Sequence, residues 1–121
     1  MNKYENPYET LKIPFLGDSP EFAPTSQFRV SAHPAETIFI FTSRVDGYWI
    51  YGYQVHWTNG QISLRQPTKS FGLFRSESDA RLHCIGFMKG FLKHFSEDTV
   101  NNIRAAERRF RTTSLPLFDE P

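Results

Sequence analysis

The sequence predicts an α+β fold in which a three-stranded antiparallel sheet is covered by a C-terminal hairpin of two helices. Two dipeptides, Asp46-Gly47 and Asn59-Gly60, separate three β-rich runs, and dipeptides of this kind favour tight hairpin turns. After Pro67 the apolar residues recur at helical spacing instead. We therefore divide one domain, 1–121, into an extended Pro-rich N-terminal arm (1–35), the sheet (36–66), two helices (76–111) and a tail (112–121).

The first 35 residues are predicted to be an extended arm. They contain five of the eight prolines and show no sustained hydrophobic period. Because proline lacks a backbone donor, it interrupts both helices and sheets. At most one short strand is expected here, near Phe28 to Ser31. A chain of 121 residues is long enough for one domain with its own core and too short for two.

The three strands are aligned by taking both turns as two-residue type I′ loops. Ile38 then lies opposite Val55, Phe41 opposite Gly52, and Val55 opposite Leu64. Side chains alternate between the faces of a strand, so this alignment assigns each residue to a face. The predicted core face carries Ile38, Ile40, Trp49, Tyr51, Tyr53, Val55, Trp57, Ile62 and Leu64. The opposite face, called the outer face below, carries Phe39, Phe41, Tyr48, Ile50, Gln54, His56, Ser63 and Arg65.

Two helices are predicted after the sheet. Ser76 is suited to cap the first, with Asp79 three residues later in a weaker form of the capping box, and Ser96 is suited to cap the second. Gly86 and Gly90 each weaken the first helix by about 1 kcal/mol relative to Ala, so a neighbouring segment is expected to pack closely there. The predicted inner residues are Ala80, Cys84, Phe87, Met88, Phe91 and Phe95, then Val100, Ile103, Ala106 or Glu107, and Phe110.

Composition limits the classes of function. Charged residues make up 22% of the chain and balance to a net charge of +1, so the molecule as a whole is not drawn to polyanions or anionic membranes. The single cysteine cannot form an internal disulfide, and no signal peptide is recognisable, which predicts a cytoplasmic protein. No apolar run approaches the roughly 20 residues of a membrane helix, so no membrane is expected as a partner.

The common catalytic and cofactor motifs are missing from the sequence. It lacks the glycine loops that bind phosphate, a Cys-x-x-Cys pair and the His-Glu-x-x-His pattern. Asp79 and His83 lie one helical turn apart, as two metal ligands would, but no third ligand is indicated. Cys84 falls on the apolar stripe of its helix and is expected to be a buried, unreactive thiol. We therefore expect no enzyme, no cofactor and no metal.

Two surfaces are candidates for nucleic-acid binding. The outer face has side chains of the types on which unpaired bases stack, namely Phe39, Phe41, Tyr48, His56 and Arg65. The alternative is that the arm covers this face with Tyr8, Ile13, Phe15, Leu16 and Phe22. A basic stripe late in the second helix is suited to contacting phosphates and consists of Arg104, Arg108, Arg109 and Arg111. The alternative for the stripe is that cations favour a helix C-terminus through its dipole.

The tail contains the sharpest motif for binding a protein. Pro116 cannot continue a helix, and Thr112-Thr113-Ser114 is expected to form a polar hinge before an extended segment. That segment resembles the peptides by which bacterial replication and repair proteins bind the DNA polymerase sliding clamp, which have the form Gln-Leu-Ser-Leu-Pro-Leu followed by an aromatic residue. The last five positions are matched by Ser114, Leu115, Pro116, Leu117 and Phe118. Thr112 replaces the glutamine that fixes the register of such peptides, and Thr113 replaces a leucine. The alternative is that the apolar residues of the tail fold back onto the domain.

The body of the chain, GYWIYGYQVHWTNGQ over 47–61 and FRSESDA over 74–80, resembles small proteins of bacterial plasmids, phages and other mobile elements. The resulting hypothesis is a non-enzymatic bacterial or phage accessory or inhibitory protein that acts on DNA-processing machinery, such as a sliding clamp, through protein–protein contacts. Two alternatives stay open. One is a nucleic-acid-binding module, and the other is a structural protein that forms a homodimer through an exposed sheet edge.

Overall fold

The computed structural model describes residues 5–114 of the chain. Within them the elements in order are β1 (Ser26–His33), β2 (Glu36–Val45), β3 (Tyr48–His56), β4 (Ile62–Thr68), α1 (Glu77–Lys89) and α2 (Glu97–Ser114). The strands form one antiparallel sheet in the order β1-β2-β3-β4, and the helices pack on one of its faces. The predicted α+β class is confirmed, with one strand more than predicted.

The additional strand, β1, lies in the segment that was predicted to be an arm with at most one short strand near Phe28 to Ser31. His33 pairs with Glu36 across a tight turn, and pairing with β2 continues to the start of β1. On the side of the helices, Phe28 of β1 meets Phe110 of α2 with ring centroids 4.8 Å apart. The short strand expected near Phe28 to Ser31 is therefore present but longer than predicted, because pairing with β2 and packing on α2 extend it beyond the weak local pattern.

The hairpin between β2 and β3 has the predicted register. Ile38 lies opposite Val55. Asp46 and Gly47 have positive φ values of 56° and 85°, as the type I′ turn requires. Opposite Phe41, Gly52 is needed because the backbone of residues 65–67 comes too close to admit a Cβ atom.

The hairpin between β3 and β4 differs from the prediction by one residue. Val55 lies opposite Ser63, because the loop contains three residues, 58–60, and not two. A shift of one residue moves every side chain of a strand to the other face. The residues exchanged are Ile62 and Leu64, now on the outer face, and Ser63 and Arg65, now on the face toward the helices.

The core lies between the sheet and the two helices. Trp57 stacks on Phe95 with ring centroids 5.0 Å apart and contacts Phe91 edge-on at 6.4 Å, as expected for the contact between β3 and the helical layer. The buried residues of the core are Val30, Ile38, Ile40, Tyr51, Val55, Phe74, Ala80, Leu82, Cys84, Ile85, Met88, Ile103, Ala106 and Phe110.

The arm first passes over the helices, where it covers a second side of α1. The Asn6 side chain fills the space that a Cβ atom at Gly86 would need, which confirms the close packing expected at that glycine. Asn6 Nδ2 also donates a hydrogen bond to the His83 carbonyl at 2.8 Å. The Tyr8 hydroxyl donates to Glu107 of α2, so Tyr8 lies on the helical layer and not on the outer face.

The arm then crosses to the sheet and reaches one end of the outer face. Ser43 Oγ donates to the Ala23 carbonyl at 2.6 Å, and the Phe22 N–H donates to the Pro67 carbonyl at 2.8 Å. Leu16, which was expected to be buried on this face, is 90% exposed. The alternative that the arm covers the whole outer face is therefore correct only for this end.

Helix α2 begins at a buried carboxylate and extends further than predicted. The Glu36 carboxylate accepts hydrogen bonds from the Ser96 N–H at 3.0 Å and from the Thr99 hydroxyl at 2.6 Å. At the other end, α2 continues through the predicted hinge residues to Ser114, and the Thr112 hydroxyl donates back to the Arg108 carbonyl at 3.0 Å in this last part of the helix. The hinge prediction is wrong for residues 112–114.

Candidate functional site

The two edges of the sheet differ in how they are protected. β1 carries a bulge after Arg29, and the Arg29 side chain is exposed; bulges and charges both discourage a further strand from pairing. On β4, the arm pairs only at the far end, where Phe22 bonds to Pro67 and Glu21 bridges to Thr68. In the part of the chain that the structure describes, no strand lies along the outer side of residues 62–65, which are called the β4 edge below.

The β4 edge is apolar on the outer face. Ile62 is 57% exposed and Leu64 is 49% exposed, although both are large aliphatic residues. Their neighbours across the strand pair are His56 and Gln54, whose side chains bond to each other at 2.7 Å. Single exposed aliphatic residues are common, but two on one free edge strand mark a site where another chain can pair.

A cleft lies on the other side of the β4 edge, between the sheet and the end of α1. It has a volume of about 150 Å³, and Trp57 Nε1 donates to Ser63 Oγ at 2.9 Å within it. Phe91 at its mouth is 36% exposed. This β4 cleft is lined by Tyr53, Val55, Trp57, Ser63, Phe87, Met88, Phe91 and Phe95. The β4 edge therefore has apolar surface on both of its sides.

Sequence reasoning missed this edge for a physical reason. The alternation from Ile62 to Arg65 identifies a strand with two unlike faces, but the loop length decides which face points inward. Apolar residues were assigned to the core, and only the three-residue loop shows that they point outward. The residue pattern of β4 alone does not show whether its apolar side chains point toward the core or toward the outer face.

Four of the five residues predicted to stack nucleic-acid bases lie on the outer face as predicted, and the rings of two of them, Phe39 and Phe41, stack with centroids 6.4 Å apart. Phe39 and His56 are half-buried on the open part of the outer face, and Tyr48 is exposed at the end of a hairpin. Phe41 is only 6% exposed. Arg65 lies on the opposite face, with its guanidinium 5.1 Å from the centre of the Phe71 ring. The predicted surface is therefore wrong for Arg65, because the prediction used the incorrect register of β4, and Phe41 is too buried to stack a base.

The predicted basic stripe is present on α2. All four side chains are exposed, and none forms an ion pair within residues 5–114; they are Arg104, Arg108, Arg109 and Arg111. Arg109 has a structural contact, since its guanidinium lies 5.2 Å from the centre of the Phe28 ring. Arg111 lies beside Tyr8 and Glu107. Arg104 and Arg108 are therefore the members most available to a ligand.

His83 belongs to a buried polar network. Its Nδ1 lies 2.8 Å from the Tyr51 hydroxyl oxygen and its Nε2 lies 2.8 Å from Glu9 Oε1. Burial lowers the pKa of His83 below its usual range, although the hydrogen bond that its ring donates to Glu9 opposes this shift. Cys84 is fully buried, as expected, and burial raises the pKa of its thiol far above the usual range. Within residues 5–114 no cluster of three His, Cys, Asp or Glu side chains could hold a metal ion.

The predicted clamp-binding residues Leu115, Pro116, Leu117 and Phe118 lie outside the described residues, and Ser114 is the last residue of α2. None of the helices in the described part is long and apolar enough to cross a membrane.

A scan of protein-family models finds no match to this chain, and searches of curated proteins and of solved structures find no similar protein.

Proposed function

We propose that the chain is a protein-binding module that pairs with an extended segment of a partner along β4. The observation that carries this proposal is the apolar surface on both sides of an unpaired strand edge. A strand added beside residues 62–65 would place alternate side chains next to Ile62 and Leu64, and the others over the β4 cleft. Main-chain hydrogen bonds then supply affinity, and the two apolar surfaces supply specificity.

The partner class follows from the resemblance of residues 114–118 to clamp-binding peptides. An accessory or inhibitory protein of bacterial or phage DNA-processing machinery is the function that this resemblance implies. The purified sliding clamp is therefore the first partner to test. The β4 edge and the tail are separate contacts, so each needs its own variant.

The experiment replaces Ile62 and Leu64 with lysine, a residue that natural edge strands use against pairing. Full burial of each aliphatic side chain stabilises the complex by about 1.5 to 3 kcal/mol. Because both are already about half exposed, we expect partner affinity to fall by roughly 100-fold while the melting temperature changes little. The partner is identified by affinity capture from a bacterial lysate and then titrated in purified form.

The matched control places two lysines on the opposite edge strand, at Gln27 and Ala32, which are both exposed. Equal affinity of this control and of the I62K/L64K variant would refute the proposal. Sedimentation of the protein alone tests the homodimer alternative, since self-association that only I62K/L64K removes would assign the β4 edge to a second copy.

Nucleic-acid binding is a second candidate, favoured by the four exposed arginines of α2 that form no ion pair within residues 5–114. Arg104 and Arg108 project from one flank of the helix, where they are suited to contacting successive phosphates. Such binding would weaken steeply with salt, whereas pairing along β4 would not. A titration with DNA and RNA at two salt concentrations separates the two functions.

A further inference from the structure

The β4 cleft is walled by aromatic rings that contact one another in series. The centroid of the Tyr53 ring lies 5.4 Å from that of Phe87, which lies 5.2 Å from that of Phe91. Phe91 in turn contacts Trp57 at 6.4 Å, and Trp57 stacks on Phe95 at 5.0 Å. Each of the five rings keeps part of its surface exposed, so the walls of the cleft are accessible to a ligand.

The size of the cleft fits a single aromatic ring. Its volume is about 150 Å³, and a cavity of about 150 Å³ lined by apolar side chains binds benzene. Rings that meet edge-on or offset, with centroids about 4.5 to 7 Å apart, attract each other beyond the burial of their surface. A ring placed among five others makes several such contacts at once. An aromatic ligand therefore suits this cleft better than an aliphatic ligand of the same size.

The polar groups around the cleft select a neutral ligand. Trp57 Nε1 donates to Ser63 Oγ at 2.9 Å, so the indole N–H needs no partner from a ligand. None of the described residues that line the cleft carries a carboxylate, which would favour an organic cation. The next side chain on this face of β4 is Arg65, and its charge is already compensated by Glu21 at 3.3 Å. The cleft therefore offers a ligand apolar surface and no free charge.

The cleft can be reached from the β4 edge. α1 packs on β3 and α2 on β1, so the helical layer is centred away from β4. In an antiparallel strand added to β4, the residue opposite Ser63 has its Cβ atom about 5 Å from that of Ser63 and points to the same face. That face carries the cleft, whereas the two neighbours of this residue point to the outer face, beside Ile62 and Leu64.

We propose that the β4 cleft binds the aromatic ring of one residue of the partner segment, the residue that lies opposite Ser63. This inference rests on the proposed pairing along β4 and adds the chemistry of the partner, which is an extended segment with a neutral aromatic residue at this position. The ring supplies specificity, because main-chain hydrogen bonds alone do not distinguish one sequence from another.

The first test needs no partner protein and uses benzyl alcohol as a soluble probe. In a nuclear magnetic resonance titration the probe should move the indole N–H signal of Trp57, which lines the cleft, and leave that of Trp49, which does not. Cyclohexylmethanol has a similar size without an aromatic ring, and tetramethylammonium is a cation. We expect both to bind at least about threefold more weakly than benzyl alcohol. An unmoved Trp57 signal, or equal or tighter binding of either comparison probe, would overturn the proposal.

Two variants locate the probe in the cleft. Ser63→Phe puts a ring into the cleft and leaves the main-chain groups of the edge in place, so it should abolish binding of benzyl alcohol. Phe91→Ala removes a wall that is 36% exposed and should weaken this binding at least about threefold. The matched control I62K/L64K changes only the outer face and should bind the probe like the parent. Binding that survives both cleft variants, or that only I62K/L64K removes, would contradict the assignment.

The second test uses the partner identified by affinity capture. Ser63→Phe should lower the affinity for the partner at least about tenfold, because the cleft is then filled. Normal affinity of Ser63→Phe, together with a loss in I62K/L64K, would refute the ring site and leave pairing along β4 intact. Normal affinity of I62K/L64K would instead refute the pairing, and with it the assignment of the ring to the partner.

Discussion

The buried carboxylate at the start of α2 makes the stability of the protein depend on pH. Glu36 is only 3% exposed, and its carboxylate accepts hydrogen bonds from the Thr99, Thr58 and Ser96 hydroxyls at 2.6, 2.7 and 2.7 Å and from the Ser96 N–H. A negative charge at this position also interacts favourably with the dipole of α2. The change that tests this arrangement is Glu36→Gln, which keeps the size of the side chain and removes its charge.

The contribution of Glu36 to the free energy of unfolding follows from the pKa of its carboxyl group. Burial alone would raise the pKa of Glu36, but the hydrogen bonds from Thr99, Thr58 and Ser96 outweigh burial and lower it from 4.5 to about 2. Each pKa unit corresponds to about 1.4 kcal/mol, so the ionised carboxylate contributes about 3 kcal/mol to the free energy of unfolding at neutral pH. We expect Glu36→Gln to lose most of this contribution at pH 7.

The sign of the pH dependence is fixed by the lowered pKa. A carboxylate whose pKa falls on folding stabilises the protein above its unfolded value, near 4.5, and this stabilisation is lost as pH falls toward 2. The assay is urea unfolding followed by tryptophan fluorescence, for the parent and the variant, between pH 7 and pH 2.5. The difference in the free energy of unfolding between the parent and Glu36→Gln should be largest at pH 7 and should shrink below pH 4.5.

The matched control is Glu97→Gln, an exposed carboxylate in the first turn of the same helix. Because water screens this charge, its loss should change the stability by less than about 1 kcal/mol. The reasoning is refuted if Glu36→Gln and Glu97→Gln have the same effect at pH 7, or if the difference between Glu36→Gln and the parent does not depend on pH.

Two further changes test the sheet and the basic stripe. Gly52→Ala should destabilise by about 2 to 3 kcal/mol, since its methyl group would meet the backbone of residues 65–67; urea unfolding measures this, and stability equal to the parent would contradict the close approach. Changing Arg104, Arg108 and Arg111 together to glutamine should leave the melting temperature nearly unchanged and weaken binding to every DNA or RNA sequence alike, as titrations at low salt would show. Failure of the parent to bind either nucleic acid at low salt would exclude that alternative.

The parts of the fold that depend on local chemistry could be predicted from the sequence. Asp46-Gly47 has positive φ at both positions, so its two-residue turn and the register of β2 and β3 follow from the dipeptide. The caps of α1 and α2 follow from Ser76 and Ser96, and part of their buried stripes follows from the helical period. The predicted stripe of the first helix is wrong at its end, because α1 ends at Lys89 and Phe91 is 36% exposed, and it missed the buried Leu82 and Ile85.

The parts that depend on distant contacts could not be predicted. Asn59-Gly60 resembles the first turn, but only Gly60 has a positive φ there, and the longer loop reverses the faces of β4. The candidate site depends on that reversal. Ile62 and Leu64 follow the alternating apolar pattern of core residues, and yet their side chains lie on the outer face of the sheet. An exposed apolar edge strand departs from the rule that apolar residues lie in the core, so only the strand pairing in the structure identifies it.

The most direct measurement of the proposed function is amide hydrogen exchange of the protein with and without the partner identified by affinity capture. Pairing along β4 predicts slower exchange for residues 62–65 in the complex and unchanged exchange in β1, because the added strand gives hydrogen bonds only to the free edge. Protection confined to residues 104–111 of α2, or unchanged exchange along β4 in a saturated complex, would contradict the proposal.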